Sequence, residues 1–468
     1  MLRLAILSAL VLTVAGCAAP GNRPAQDLNG DGIPDGDQGG ALAPFVNPVI
    51  IEHDHTDFDV HVLSNNVEQV GHSYLSLPGQ TGTPGGLGEI DVVGSYAYVA
   101  VFNHGFAIVD LSDPTAPSLV SLTDTPTPAG TNPLGKYTAD LKVDATGDWV
   151  FLAMELSEYP GVLIYDARDR AAPVLAGFWP APGTLLGCHM VEYAVINEQE
   201  YLFCAPLDNA IWVGQLLDPT PTGQREIVTI AHWVPTTPKF AQQQAAAIQA
   251  NGADYVTGLV SGHQDMTYQP DPLDGTPTLF VSFWNLGMRI VDVSIPALPI
   301  EVGSWAGEGS EKWRGNLHTT VAAKLSDRRI IVTIPEGTSP PALFVLDATD
   351  LNDPVLLAEW TALDDFKGED GTFSLHNFQI VAGKVYIAMG HGGVWCLDIS
   401  TPELQAAPNP VASYLPHEPA GNGEPYQGYY WDSVIWGGYW LTADGAGGFY
   451  VLHKLDDPAG DANYNSFA

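Results

Sequence analysis

Four histidines sit in closely similar surroundings: His189 in "LGCHMVEY", His263 in "VSGHQDMTY", His318 in "GNLHTTVA" and His376 in "SLHNFQIV". Each ring stands ahead of a run whose apolar residues alternate, as Phe378 and Ile380 do after His376, which places it at the mouth of a short β-strand. Asp140 and Asp432 occupy comparable positions in two further stretches. Imidazole nitrogens and carboxylates that converge on one point suit a divalent transition metal such as copper, zinc or iron, with Cys188 and Asp265 as neighbouring donors. The same residue types also suit a polar interior satisfied by backbone and water, and both readings are open at this level. The sequence contains no Gly-rich phosphate loop, GxSxG elbow, HExxH helix or dinucleotide fingerprint. Any site must therefore be assembled from residues far apart in the chain.

What would assemble them is a repeat. "GEIDVVGSYAYVAVFNHGFAIVDLSDPTAPSLVSL", from Gly88, reads as four short strands with turns between them, and further copies begin near Tyr137, Cys188, Gly262, Leu317 and Leu375. Hairpin tips such as "VGSY", "ATGD" and "VAGK" flank alternating apolar runs, which is the pattern of antiparallel strands. A four-stranded unit of roughly 40 to 50 residues is a propeller blade. The last copy, "YYWDSVIWGGYWLTADGAGGFYVLHKLDDP", supplies three strands only. Its missing fourth matches "NVEQVGHSYL", residues 66–75, which looks like the outer strands "PIEVGSW" and "PVLLAEW". The expected fold is all-β, a seven-bladed propeller over 66–455, closed by an N-terminal strand that pairs into the last blade and so removes a free sheet edge. Closure puts the first strand of every blade around a central channel, so His189, His263, His318 and His376, with Asp140 and Asp432, form a ring of candidate metal ligands.

Copies such as "GFAIVDLSDPTAP" and "GMRIVDVSIPALP" resemble the LVIVD-repeat family of exported bacterial propeller proteins. The resemblance runs over most of 66–455 and implies the propeller fold, but little about activity. The third copy departs most, with Gly214 and Gln215 where other copies carry Asp. Elsewhere an Asp closes the third strand (Asp110, Asp166, Asp292, Asp347 and Asp398), where its carboxylate is expected to accept backbone N–H groups of the "DxSDP" corner.

Residues 234–262 interrupt the repeat, and "KFAQQQAAAIQANG" within them predicts a short helix ending at Gly252, on the rim or as a lid. Cys188 and Cys204 fall on neighbouring strands of one hairpin but out of register, so no disulfide is expected between them, and Cys396 reads as a buried small hydrophobe.

The N-terminus carries its own signals. "MLRLAILSALVLTVAGC" has one early Arg, an apolar run too short to span a bilayer, and a lipobox-like "VAGC". Residues 1–16 are read as a lipoprotein signal peptide and Cys17 as the acylated residue; Ala18 after it favours the outer membrane of a diderm cell. In the linker 17–65, "DLNGDGIPDGDQ" offers Asp27, Asn29, Asp31, the Ile33 carbonyl and Asp35 at calcium-loop spacing, similar to a single thrombospondin type 3 repeat. "EHDHTDFDVHV", residues 52–62, adds His53, His55 and His61 among acids, and residues 456–468 are a polar tail.

With 54 acidic against 17 basic residues the net charge is −37, which repels nucleic acid and suits an exported, soluble surface. The expected function is a lipid-anchored binding module with a protein or glycan partner. A metal-dependent enzyme, such as an oxidoreductase, is the alternative, using the channel ring.

Overall fold

The computed structural model describes residues 63–455 apart from 78–82, 103, 127–139, 156–158, 181–186, 207–209, 253–264, 338–341, 362–373, 391, 416–428 and 446. Within these residues the chain forms seven antiparallel sheets. Blades one to six begin with the inner strands Leu87–Val93, Leu141–Val143, Cys188–Ile196, Asp265–Pro270, Leu317–Leu325 and Phe378–Val381, and blade seven begins with Tyr430–Trp436. In the first six, the following three strands complete the sheet in sequence order.

Blade seven obtains its outermost strand from the other end of the chain. Val67–Ser73 pairs antiparallel with Gly448–Lys454, from Val67 opposite Lys454 to Ser73 opposite Phe449. The expected closure is borne out. A further strand, Leu63–Asn65, lies in the stretch read from the sequence as linker and adds itself to the outside of blade six, opposite Ser413–Leu415. Three residues carry too little pattern to announce a strand.

The second and third strands of each blade lie between two neighbouring blades and are apolar on both faces. Trp149–Met154, for example, is buried along its whole length. Seven hydrophobic clusters result, one at each junction between adjacent blades. The fourth strand of each blade carries a one-residue bulge opposite the third. Gly71 lies at one of these, and a Cβ there would come 2.1 Å from the Pro114 carbonyl oxygen of blade one. Glycine is what lets that neighbouring corner approach.

The corners behave as expected. Asp110, Asp166, Asp292, Asp347 and Asp398 each accept the backbone N–H two residues on, at 2.8 to 3.1 Å. The predicted helix is Pro238–Asn251, with Thr237 as N-cap and Gly252 at its end at φ 91°. Lys239 donates to the Ser304 and Asn352 carbonyls, and Phe240 covers the Arg289 guanidinium, so the helix is strapped to the outer part of blades four and five.

One expectation is overturned: Cys188 and Cys204 form a disulfide, with Cα atoms 5.7 Å apart. The ladder pairs Cys188 with Pro206 and Cys204 with Val191, with a one-residue bulge between Cys188 and Met190. Both sulfurs then fall in the junction between blades two and three. Cys396 is the remaining thiol among the described residues, and it is buried.

Candidate functional site

The inner strands carry polar side chains into the channel, and many of these tie one blade to the next. Asp140 of blade two accepts the Val191 N–H of blade three at 2.5 Å, and Asp432 of blade seven accepts the Ile90 N–H of blade one at 2.7 Å. Asp91 accepts Val143 N–H, Gln379 accepts Ile435 N–H, and Gln269 exchanges two hydrogen bonds with the Ala322 backbone. Asp140 and Asp432 are thus interblade ties. Asp140 also faces the buried Lys142 ammonium, which pairs with Glu89. Burial raises the carboxyls of Glu89, Asp91 and Glu192, with Glu192 reaching about 8, and Asp432 rises to about 6 for the same reason.

The other part of the channel holds the imidazoles. His189 bonds Glu155 Oε2 through Nδ1 at 2.5 Å. Burial disfavours its charged form, but the Glu155 carboxylate outweighs that and raises the ring to about 9, so this pair is ionic at neutral pH. His318, from the start of blade five, approaches Thr319 Oγ1 at 2.8 Å and Asp265 Oδ2 at 3.3 Å through Nδ1. Thr319 donates to Asp265 at 2.7 Å. His376, immediately before the inner strand of blade six, is 1 % exposed. Its ring lies 4.2 Å from that of His318 and 4.0 Å from that of Trp431, centroid to centroid. Its Nδ1 bonds the Trp431 carbonyl at 2.9 Å, and its Nε2 has no hydrogen-bond partner among the described residues. Burial, helped by the charge on His189, lowers His376 to about 3 and keeps it neutral.

Glu336 completes the group. It follows the second strand of blade five, its carboxylate retains 28 % exposure to the channel, and Oε1 stands 3.9 Å from His376 Nε2. One ligand atom each from His318, Glu336 and His376 lie within 4.8 Å of one another, a set that could hold a metal ion. Of the sequence candidates, therefore, His318 and His376 meet, and His189 lies in their electrostatic neighbourhood paired with Glu155. Asp140 and Asp432 point into interblade ties. His263 lies outside the described residues, as do Cys17 and the calcium-loop residues Asp27, Asn29, Asp31, Ile33 and Asp35.

Glu155 and Glu336 escaped the sequence reading, which watched only the first strand of each repeat. Each stands at the end of an otherwise apolar second strand, in "WVFLAME" and "IIVTIPE". A lone carboxylate closing a strand buried on both faces is the signal that would have found them.

Residues 84–125, which span blade one, and 279–306, which span the later strands of blade four, match the LVIVD repeat. The chain carries LVIVD repeats. The LVIVD unit in blade one corresponds to a complete sheet, Leu87–Val93 to Ser118–Asp124, and the other blades repeat its topology. No curated protein matches the chain. Among solved structures, the C-terminal WD40 domain of Sif2 aligns at 11% identity with a TM-score of 0.47, over 78% of this chain and 81% of that one.

Proposed function

We propose that this LVIVD-repeat propeller is an exported binding module, tethered to the outer membrane through an acylated Cys17, and that it takes its ligand in the channel beside His189, His318, Glu336 and His376. The observation that carries the reading is His376 Nε2, a buried acceptor without a donor among the described residues. Buried polar groups are nearly always satisfied, and leaving one unpaired costs on the order of 1–3 kcal/mol. Such a cost is sustained where a ligand recovers it.

A thermal-shift screen of purified protein against divalent metals, small carboxylates and glycans tests the reading, run in parallel on His318→Ala/His376→Ala and on the rim variant Ile295→Ser/Leu298→Ser. Ile295 and Leu298 are each 61 % exposed. Stabilisation that is lost in the channel variant and kept in the rim variant supports the channel. The reverse pattern moves the binding surface to the rim.

The anchor is tested by mass spectrometry of membrane-extracted protein, which should find an acylated Cys17 as the mature N-terminus. Calcium binding by the linker loop is tested by Asp27→Ala/Asp31→Ala, which should remove one calcium ion per chain without changing the melting of the propeller. The second reading, a metal-dependent enzyme, draws on the pairing of two imidazoles with a carboxylate in one place.

A further inference from the structure

We infer that His318, Glu336 and His376 form a site for one divalent transition metal of the zinc or iron(II) class, with a coordination position left open toward the channel. This rests on the reading that the channel, not the rim, is where ligands bind.

Two features meet here independently. The first is proximity: three ligand atoms from three different segments lie within 4.8 Å of one another. Metal–nitrogen and metal–oxygen bonds of about 2.0–2.2 Å put ligand atoms roughly 3.5 Å apart, so small side-chain rotations bring all three onto one ion. The second is an unmet charge requirement. His376 Nε2 and Glu336 Oε1 face each other at 3.9 Å, too far for a hydrogen bond. The Nε2 atom has no partner, and the Glu336 carboxylate makes no hydrogen bond among the described residues. A buried lone pair opposite a carboxylate is an arrangement that a cation stabilises.

The outer contacts also decide which nitrogen of each ring carries the lone pair. His376 Nδ1 donates to the Trp431 carbonyl, which leaves Nε2 as the lone-pair atom. Thr319 gives its proton to Asp265, so its oxygen lone pair takes Nδ1–H of His318. Both rings are thereby oriented by oxygen acceptors, as metal-bound imidazoles generally are.

Donor chemistry then narrows the ion. Two imidazoles and one carboxylate are too nitrogen-rich for calcium or magnesium and lack the sulfur that selects copper(I). Three protein ligands are one short of a closed tetrahedral zinc site, and Glu336 is the partly exposed one, so the remaining position faces the channel.

The test uses the full chain, stripped with EDTA and titrated with Zn²⁺ and, for its visible absorption, Co²⁺. Wild type should bind one ion per chain, with cobalt bands of a four- or five-coordinate site. His318→Ala/His376→Ala should lose that ion. Glu336→Gln, which keeps size and the surface position, should weaken binding by at least tenfold. Thr319→Val removes the acceptor behind His318, together with the hydroxyl that donates to Asp265, and should weaken binding about 10–100-fold, with an unchanged circular dichroism spectrum. Equal zinc and cobalt binding by wild type and all three variants would place the metal elsewhere and overturn the site. No binding to wild type would also overturn it, and if a carboxylate or glycan still stabilised the wild type through the channel, the broader reading would stand without the metal.

Discussion

Glu192 offers the sharpest quantitative test of the channel's electrostatics. It is 8 % exposed on the inner strand of blade three and its side chain makes no hydrogen bond or salt bridge among the described residues; the Lys142 charge favours its ionised form, while Asp140, Asp265 and Asp91 act on it as like charges. Burial raises its carboxyl from 4.5 to about 8. In the unfolded chain it ionises near 4.5, so between that pH and 8 the native state holds more protons, and raising the pH favours unfolding. The penalty is absent below 4.5, reaches on the order of 3 kcal/mol at pH 7 and levels off near 5 kcal/mol above pH 8, at 1.36 kcal/mol per unit. Glu192→Gln removes it. With an unfolding entropy of about 2.1 cal/mol/K per residue over roughly 390 residues, the variant should melt about 4 °C above wild type at pH 7. At pH 4.5 the two curves should coincide. Calorimetry at pH 4.5, 7 and 8 is the assay. A gain that does not depend on pH, or a variant less stable than wild type at pH 8, would show that Glu192 is ionised and paired in the native state, and the reasoning would fail.

Three other outcomes follow from the fold. Deleting 66–75 leaves blade seven with three strands and should cost far more stability than deleting 27–45; equal melting temperatures would refute closure by Val67–Ser73. Replacing both Cys188 and Cys204 by Ala should cost about 3 kcal/mol, the loop-entropy value for a closure of this size, measured by urea unfolding. Alkylation of the unfolded, unreduced chain should label Cys396 alone among the three cysteines of the propeller; labelling of all three would mean that the bond does not form.

The blade count, the closing strand and the "DxSDP" corners were legible because each rests on a pattern that recurs in the chain, and recurrence separates signal from accident. Asp110 and its four counterparts were assigned correctly for that reason. The site was legible only in part. Two of the four histidines come together, but the repeat alone cannot say that Asp140 and Asp432 turn sideways into the next blade, because a bulge of one residue exchanges the two faces of a strand. The same irregularity concealed the Cys188–Cys204 bond. Glu155 and Glu336 occur at the ends of second strands in single copies, where no periodicity points to them. Three-dimensional closure is what makes them neighbours of the imidazoles.

The double strand at the N-terminus has a mechanical consequence. Any load transmitted along the chain from its N-terminal side reaches Leu63–Asn65 first, on blade six, and only then Val67–Ser73, on blade seven. Between them stands Asn66, at φ 59°, whose side chain grips the Val411 carbonyl while its own carbonyl receives Leu455 N–H. Tension is thus taken up by a short sacrificial strip before it arrives at the strand that keeps the ring shut. A pulling experiment from residue 62 should show a small early yield ahead of the main rupture, and the channel should stay sealed until the second event.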